Sequence, residues 1–223
     1  KATGIQVAKI AAKLMAGEKL SDFGLSTSDN VLKNMKHYAV KEAVFPFARF
    51  PGVDIILGPE MRSTGETMGL ANSFASAYAK AHLGAGQELP LSGKVFISVK
   101  KGDKKAILPV VEHLNQLGFE LVATKGTAEF LQKEGLDVGI VNKVREGRPH
   151  IVDMMVDGDI DLVINTSEGA QSIADSFSIR RTALMRKIPH STTIAGSRAL
   201  VHGIEAIMQS KGLGVKPLQA YFN

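Results

Sequence analysis

The stretch Glu120-Leu121-Val122-Ala123-Thr124-Lys125-Gly126-Thr127 passes directly from an apolar run into the start of a helix. The run 120–123 lacks the alternation of polar and apolar residues that marks a strand with one solvated face, and it therefore predicts a strand covered on both faces. Gly126 permits a tight backbone turn, and Thr127 is a residue type that begins helices well. The stretch thus predicts a strand followed at once by a helix, which is the repeating unit of an α/β fold.

Four further apolar runs repeat this arrangement, each followed by a stretch compatible with a helix. They occupy residues 95–99, 138–141, 162–164 and 192–194. Parallel strands need long crossover connections, which are usually helices. The carboxyl-terminal part of the chain is therefore predicted to be a five-stranded, parallel, doubly wound α/β sheet.

The earlier part of the chain follows a different pattern. It contains a predicted helix at 3–18, strand candidates at 39–47 and 53–57, and a second predicted helix at 72–83. The region 83–93 is rich in Gly, Pro and Ser and marks a boundary. We therefore predict an α+β segment at 1–88 and a complete α/β domain at 89–223. Two short strands cannot form much of a core, so the first segment is expected to lean on the second.

Composition limits the classes of function. Among the 223 residues, 44% are hydrophobic and none is cysteine, so disulfides and thiolate chemistry are excluded. No apolar run approaches the roughly 20 residues that span a bilayer, and no secretory signal pattern is present, so we expect a cytoplasmic protein with no membrane partner. A net charge of +5 favours anionic ligands, whereas 6% aromatic residues and no tryptophan argue against nucleic acid. The chain has the appearance of a piece of a longer protein.

Basic residues follow the first three predicted strands of the α/β domain. They are Lys100, Lys101, Lys104, Lys105, Lys125, Lys143, Arg145 and Arg148. The loop that enters the fourth strand instead carries Asp157, Asp159 and Asp161. Ligands of doubly wound sheets bind beyond the carboxyl ends of the strands, so the charge pattern predicts an anion-binding end of the sheet.

The helix start at Thr124-Lys125-Gly126-Thr127 is the centre of the predicted anion site, because free backbone amides and two hydroxyl groups converge there. A plain capped helix has the same pattern, and a single lysine is usually a solvated surface charge. Convergence of Lys104, Lys143 and the loop Asn165-Thr166-Ser167 on this helix start favours a phosphate ligand, such as that of a nucleoside phosphate.

Other signatures of catalysis or metal binding are absent. The sequence contains no P-loop, no dinucleotide-binding glycine motif and no nucleophile elbow, and its six histidines show no close pair with metal-ligand spacing. Glu60 and Glu66 flank Arg62, and a loop with an internal ion pair is the favoured interpretation of that spacing.

Two sets of motifs resemble carbamoyl phosphate synthase. The strings Lys41-Glu42-Ala43-Val44-Phe45-Pro46-Phe47, Arg49-Phe50-Pro51-Gly52 and Gly58-Pro59-Glu60-Met61-Arg62-Ser63-Thr64-Gly65-Glu66 resemble the end of the second ATP-grasp domain of that family's large subunit. The motifs Gly102-Asp103-Lys104, Ala123-Thr124-Lys125-Gly126-Thr127, Val141-Asn142-Lys143-Val144 and Glu146-Gly147-Arg148-Pro149-His150 resemble its methylglyoxal-synthase-like allosteric domain. The resemblance covers essentially the whole chain in the family's order.

The resemblance implies an allosteric site for nucleotide monophosphates such as UMP or IMP. The residues that match it are Lys104, Thr124, Thr127, Lys143, Asn165 and Ser167. Ser167 replaces a usual threonine and keeps the hydroxyl group. An arginine that some relatives carry after the Asn165 loop is Ala170 here, which bears on the choice of purine effector.

The resemblance also implies an ornithine site at Glu42 and Thr192, and it matches Glu66 to a carboxylate that lines a carbamate tunnel. A tyrosine and an aspartate precede this threonine in ornithine-regulated relatives, but His190 and Ser191 occupy those positions here and argue against ornithine activation.

For the intact enzyme the resemblance implies an ATP-dependent ligase that makes carbamoyl phosphate from glutamine or ammonia, bicarbonate and two ATP for pyrimidine and arginine biosynthesis. Its cofactors would be ATP, magnesium or manganese, and potassium, and its partners a glutaminase small subunit and further copies of itself in a homo-oligomer. The family's magnesium-binding glutamate and asparagine precede the segment that matches this chain, so no catalytic or metal site is expected here.

Two alternatives stay open. A free-standing methylglyoxal synthase-type lyase would need a catalytic aspartate in the loop that reads Gly147-Arg148-Pro149-His150, and an arginine cannot act as a base at neutral pH. A purely structural interaction module would leave the basic strand ends without a ligand.

Overall fold

The computed structural model describes residues 1–25, 35–44, 65–167, 170–210 and 212–222, with residues 170–175 described by their backbone alone. Seven α-helices lie in these ranges: α1 (Val7–Met15), α2 (Phe74–Gly84), α3 (Lys104–Gln116), α4 (Lys125–Lys133), α5 (Ile151–Asp157), α6 (Ala170–Arg186) and α7 (Ile194–Ser210). The strands are β1 (Tyr38–Val44), β2 (Gly65–Ala71), β3 (Lys94–Ser98), β4 (Glu120–Thr124), β5 (Gly139–Val141), β6 (Leu162–Asn165) and β7 (His190–Ser191).

The main sheet has five strands in the order β5-β4-β3-β6-β7. All four strand pairings are parallel, and the central strand β3 pairs with β4 on one side and β6 on the other. The predicted five-stranded, parallel, doubly wound sheet is thereby confirmed. Four of its strands, β3 to β6, lie within one residue of their predicted bounds. Val95 of β3 pairs with Leu121 of β4 and with Leu162 of β6.

Successive residues of each central strand face opposite sides of the sheet. Helices cover both sides, so residues on either side are apolar and polar residues do not alternate along the strand. On β3, Val95 and Ile97 join a core cluster with α3, α4 and α7, whereas Phe96 joins a second cluster with α5 and α6. All three side chains are fully buried. The sheet is therefore covered on both faces by helices.

The first segment contributes a two-stranded antiparallel sheet, in which Tyr38 pairs with Ala71 and Val44 with Gly65. The predicted strand 39–47 is confirmed over the described residues of β1. Strand β2 was not predicted, because its sequence has two glycines and little apolar patterning. The strand candidate 53–57 lies outside the described residues.

Helix α2 joins the first segment to the α/β domain. Its N-cap Ser73 accepts a hydrogen bond from Ser76 N, and Ala77, Ala79 and Ala81 are almost completely buried. Ala79 lies in the same core cluster as Leu200 of α7. This packing agrees with the expectation that the first segment leans on the second.

One strand prediction was wrong. Residues 192–194 were expected to form the fifth strand, but β7 is His190–Ser191 and α7 begins at Ile194. Ser191 Oγ accepts a hydrogen bond from Thr193 N at 3.4 Å, and Thr193 Oγ1 accepts one from Gly196 N at 3.0 Å. The β-branched residues therefore form a turn and a helix cap in place of the strand.

The two predicted helices of the first segment are confirmed with different bounds. Helix α1 is shorter than the predicted 3–18 and has no buried residue, and α2 begins two residues later than predicted. Within the described part of the chain, every helix is too short or too polar to cross a membrane.

Candidate functional site

The carboxyl ends of β3 and β6 meet at the point where the strand order reverses. The chain proceeds from β3 toward β4 on one side of the sheet and from β6 toward β7 on the other. Such a switch point leaves a crevice between the loops of the two strands, and ligands of doubly wound sheets bind there. The loops that follow Ser98 and Asn165 therefore border the candidate site.

Three hydroxyl groups form a cluster beside this crevice. Thr124 Oγ1 donates to Ser98 Oγ at 3.3 Å and lies 3.4 Å from Thr127 Oγ1. Thr127 Oγ1 also accepts a hydrogen bond from Val99 N at 3.4 Å. Thr124 and Thr127 are buried, and the Thr124 side chain does not cap α4. The amides in the first turn of α4 thus receive no side-chain hydrogen bond from Thr124, and such helix starts are favourable positions for an anion.

Lys104 brings a positive charge to this helix start. Its Nζ donates a hydrogen bond to the carbonyl oxygen of Gly126 and lies 6.0 Å from the ring centroid of Phe130. A Cβ on Gly126 would lie 3.7 Å from the same ammonium group. The sequence prediction that Lys104 and the Thr124–Thr127 turn converge is consistent with these contacts.

Asn165 and Ser167 lie on the other side of the crevice. Asn165 Nδ2 donates to the carbonyl oxygen of Ser98 at 3.5 Å, and Thr166 Oγ1 accepts from Lys100 N at 3.2 Å. The two neighbouring strand ends are therefore bonded directly to each other.

Arg180 of α6 holds the loop after β6, and sequence reasoning did not find it. Its Nη2 donates to Ser167 Oγ at 2.6 Å and its Nε donates to Asn165 Oδ1 at 3.4 Å. Burial lowers the pKa of the Arg180 guanidinium below its usual range. No local pattern distinguishes Arg180 from the exposed Arg181, because only the packing of α6 on the sheet separates them.

Lys143 differs from the other predicted residues. It is exposed and follows β5, which is one of the two edge strands and lies two strands from β3. Its backbone N–H donates to Glu146 Oε2 at 2.9 Å. Among the described residues, the structure shows no hydrogen bond or ion pair that joins the Lys143 ammonium to the cluster around Thr124.

The loop after Lys143 contains Arg148, the residue that argues against the lyase alternative. The Arg148 side chain is 80% exposed, and its Nη2 lies 3.6 Å from Asp153 Oδ1. The same Asp153 accepts from His150 N at 3.0 Å, and Asp153 N donates to His150 Nδ1 at 3.2 Å. The Asp153 carboxylate and the His150 ring therefore cap the start of α5 reciprocally.

One aspartate of the loop that enters β6 lies at the opposite end of the sheet. Asp161 precedes β6, and its Oδ2 accepts a hydrogen bond from Lys94 N at 2.7 Å, at the beginning of β3. Lys94 Nζ also pairs with Glu120 Oε1 at 3.0 Å, so both signs of charge are present at this end.

A second polar cluster surrounds Glu42. Glu42 Oε2 lies 3.9 Å from His82 Nε2, and the His82 and Tyr78 ring centroids are 4.5 Å apart. Burial lowers the pKa of His82, although Glu42 and Gln87 act in the opposite direction. Burial also raises the pKa of Tyr78 to about 12, with a smaller contribution from Glu42. The cluster therefore favours a neutral imidazole and a neutral phenol beside the carboxylate.

His190 extends this cluster toward the α/β domain. Burial lowers the pKa of His190, the backbone of Ile188 raises it, and the charges of Arg180 and His82 lower it further. Thr192, predicted with Glu42 for an ornithine site, is exposed two residues beyond His190. Glu66, predicted for a carbamate tunnel, is exposed and forms an ion pair with Lys41 of the neighbouring strand.

Together these contacts place several hydrogen-bond donors and two positive charges at the switch point. The switch point combines a helix terminus, buried hydroxyl groups and two cations, Lys104 and Arg180. Such groups recognise the oxygens of a phosphate and the hydroxyl groups of a sugar.

Comparison with protein families identifies an MGS-like domain at residues 106–192. The carbamoyl phosphate synthase large chain of Myxococcus xanthus (strain DK1622) is 55% identical over 221 residues, which cover 99% of this chain and 20% of that protein. The large chain from Mesorhizobium japonicum is 52% identical over 223 residues, 100% of this chain and 19% of that protein. The chain spans about a fifth of the length of these curated relatives.

Among solved structures, methylglyoxal synthase from Elizabethkingia anophelis NUHP1 aligns with a TM-score of 0.43 at 17% identity. The alignment covers 51% of this chain and 79% of that one.

Proposed function

We propose that this chain, a close relative of about one fifth of the carbamoyl phosphate synthase large chain, is the carboxyl-terminal regulatory part of such an enzyme. Residues 89–223 would be the effector domain, and residues 1–88 the end of the second ATP-grasp domain. The effector would be a nucleotide monophosphate such as UMP or IMP. The observation that carries the proposal is the convergence of Lys104, the Thr124–Thr127 turn and Arg180 at the switch point of the sheet.

The effector phosphate is assigned to the helix start of α4. Amides of the first turn, the Thr127 hydroxyl and the Lys104 ammonium would bind its oxygens, because each is a hydrogen-bond donor at the end of a strand. Thr124 supports Thr127 through the 3.4 Å contact between their hydroxyl groups. Exposed Lys143 would add long-range attraction for the anion.

The sugar is assigned to the other side of the crevice. Asn165 and Ser167 are hydrogen-bonded to Arg180, which leaves the Asn165 amide and the serine hydroxyl fixed in orientation. Arg180 is a positioning residue, because its guanidinium acts through these two side chains.

In the intact enzyme, effector binding would favour one packing of the regulatory domain against the ATP-grasp domain. The effector must then bind the two packings with different affinity, and the coupling acts in both directions. The contact between α2 and α7 supports this proposal, since it connects the two segments through a shared core.

The intact enzyme would be a cytoplasmic ligase that uses glutamine or ammonia, bicarbonate and two ATP. Its partners would be a glutaminase small subunit and further copies of the large chain. ATP, magnesium or manganese, and potassium would act outside the residues of this chain. An ornithine site at Glu42 and Thr192 is not part of this proposal, because His190 and Ser191 occupy the positions at which ornithine-regulated relatives carry a tyrosine and an aspartate.

Calorimetric titration of the chain with UMP and IMP tests the proposal. We expect one nucleotide to bind per chain. Three variants, Lys104→Ala, Thr127→Ala and Arg180→Gln, should each weaken binding about tenfold or more. Each of them removes or misplaces a charge-assisted or buried hydrogen bond. Lys105→Ala and Arg181→Gln change exposed neighbours and serve as matched controls. Unchanged affinity in the Lys104 and Thr127 variants would reject the site, and failure of both nucleotides to bind would reject the function.

The lyase alternative predicts release of phosphate from dihydroxyacetone phosphate. We expect none, because the loop Gly147-Arg148-Pro149-His150 carries a guanidinium and Asp153 caps α5. Phosphate release that is abolished by a substitution at Asp153 would favour the lyase instead.

A further inference from the structure

Two histidines and one glutamate form a cluster between α3 and α7, away from the candidate effector site. His113 lies in the last turn of α3, and His202 and Glu205 are three residues apart on α7, so they share one face of that helix. His113 follows Lys104 by nine residues, which corresponds to about 14 Å along the helix axis. The cluster therefore belongs to a different region of the domain from the basic strand ends.

The polar atoms of the cluster converge. His113 Nε2 lies 3.4 Å from Glu205 Oε2, and His202 Nδ1 lies 3.7 Å from the same oxygen. One ligand atom from each residue lies within 4.8 Å of the other two. In a tetrahedral zinc site with bonds of about 2.0–2.1 Å, neighbouring ligand atoms are about 3.3 Å apart. The three atoms thus stand close to the positions of metal ligands.

A fourth side chain orients the carboxylate. Gln209 Nε2 donates a hydrogen bond to Glu205 Oε1 at 3.0 Å, one turn further along α7. This bond leaves the other oxygen, Oε2, directed at the two imidazoles. Hydrogen bonds of this kind hold metal ligands in their binding orientation in established sites.

We propose that His113, His202 and Glu205 bind a borderline divalent metal ion such as Zn²⁺, with water in the remaining coordination position. Two imidazoles and a carboxylate suit this class of ion, whereas Mg²⁺ and Ca²⁺ prefer ligand sets made of oxygen. The side chains are 23%, 48% and 31% exposed, so an ion can enter from solvent.

A bound ion would join the end of α3 to the middle of α7. Helix α3 begins at Lys104 of the candidate effector site, and α7 packs against α2 of the first segment. The ion would therefore stabilise the arrangement of helices that connects these two regions. Because the folded chain brings the ligands together, binding raises the stability of the fold.

Zinc titration of the chain without a histidine tag, in competition with a chromophoric chelator, tests the site. We expect one Zn²⁺ per chain and a loss of affinity of at least about tenfold in each of His113→Ala, His202→Ala and Glu205→Gln. Glu112→Gln is the control, because it removes a negative charge, as Glu205→Gln does, from the exposed position next to His113 on α3. It should change the affinity for zinc by less than about twofold. Millimolar Mg²⁺ should not displace the zinc.

Two further measurements separate loss of the site from loss of the fold. Each variant should retain the helical circular dichroism of the wild type, and Zn²⁺ should raise the melting temperature of the wild type but not of Glu205→Gln. Co²⁺ should give the visible absorption bands of a nitrogen-ligated ion in the wild type alone. Absence of zinc binding by the folded wild type, or equal binding by a folded His113→Ala/His202→Ala double variant, would overturn the proposal.

Discussion

Arg180 and Lys104 bring positive charge to the candidate site in different ways. The Lys104 ammonium donates a hydrogen bond to the carbonyl oxygen of Gly126 at the start of α4. The Arg180 guanidinium is partly buried and binds Asn165 and Ser167, whose orientation it determines. Planar guanidinium groups suit such fixed, two-point contacts better than ammonium groups do. The two cations are therefore expected to affect nucleotide binding through different steps, by direct contact and by positioning.

We expect His190 to make the stability of the fold depend on pH. Its Nδ1 is buried without a hydrogen-bond partner, and burial lowers its pKa in the folded chain. Arg180 and His82 face it from α6 and α2 and oppose its protonation. A depressed folded pKa means that the unfolded chain binds more protons once the pH falls below the ordinary histidine value of about 6.5. Stability is therefore present above that pH and is lost as the pH falls toward the folded pKa.

Urea unfolding between pH 7.5 and 5.5 measures this dependence. We expect the free energy of unfolding to decrease on acidification, with His190 contributing up to about 1.4 kcal/mol per pH unit and His82 adding to it. The His190→Gln variant should show a smaller slope, whatever its absolute stability. Equal slopes for variant and wild type would contradict the assignment of this group.

Gly69 determines how closely α2 approaches β2. A Cβ at this position would overlap the carbonyl oxygen of Ala77 and lie 2.6 Å from Ala81 N. Thr67 Oγ1 donates to the carbonyl oxygen of Ala81 at 2.9 Å, and Lys80 Nζ donates to that of Leu70 at 3.0 Å. The helix therefore lies directly on the strand backbone, and only glycine leaves room for it.

Gly69→Ala should lower the free energy of unfolding by about 2 kcal/mol or more, because the neighbouring atoms are backbone atoms that cannot rotate away. Gly102→Ala is the matched control, since its added methyl group meets nothing within 4 Å. Urea unfolding of both variants would show the difference. A change of less than about 0.5 kcal/mol in Gly69→Ala would mean that α2 moves freely on β2.

At the scale of the whole molecule, the two segments are connected at several places. Ala79 of α2 shares a core with Leu89 and Leu200, and the Tyr221 hydroxyl donates to the carbonyl oxygen of Leu70 at 2.8 Å. The rings of His37 and Tyr221 meet edge to face with centroids 5.3 Å apart. The end of the described chain thus returns to the first segment.

A chain limited to residues 89–223 tests how far the α/β domain is independent. We expect it to fold, because both layers of its core remain, but to melt at least about 5 °C below the full chain, because α7 loses the cover of α2. Thermal unfolding followed by circular dichroism gives the comparison. Equal melting temperatures would show that α2 contributes no stability to the domain.

By itself the sequence determined the strand–helix alternation, the class of sheet and the basic character of the strand ends. These properties depend on apolar runs, helix starts and charges that are close together in the chain. Local patterns were therefore enough to propose Lys104, Thr124 and Thr127 as candidate site residues. A short apolar run at the end of an element can be either a strand or the start of a helix, and the local pattern does not distinguish them. Residues 192–194 were therefore expected to form a strand, but they form a turn and a helix cap.

The tertiary structure alone decided the strand order β5-β4-β3-β6-β7, the pairing of β2 with β1, the role of Arg180 and the meeting of His113 with Glu205. Each of these joins residues that are separated along the chain, by 13 positions for Arg180 and Ser167 and by far more for His113 and Glu205. The physical reason is that such contacts arise from the packing of complete helices on the sheet, and local propensity carries no information about which faces will meet.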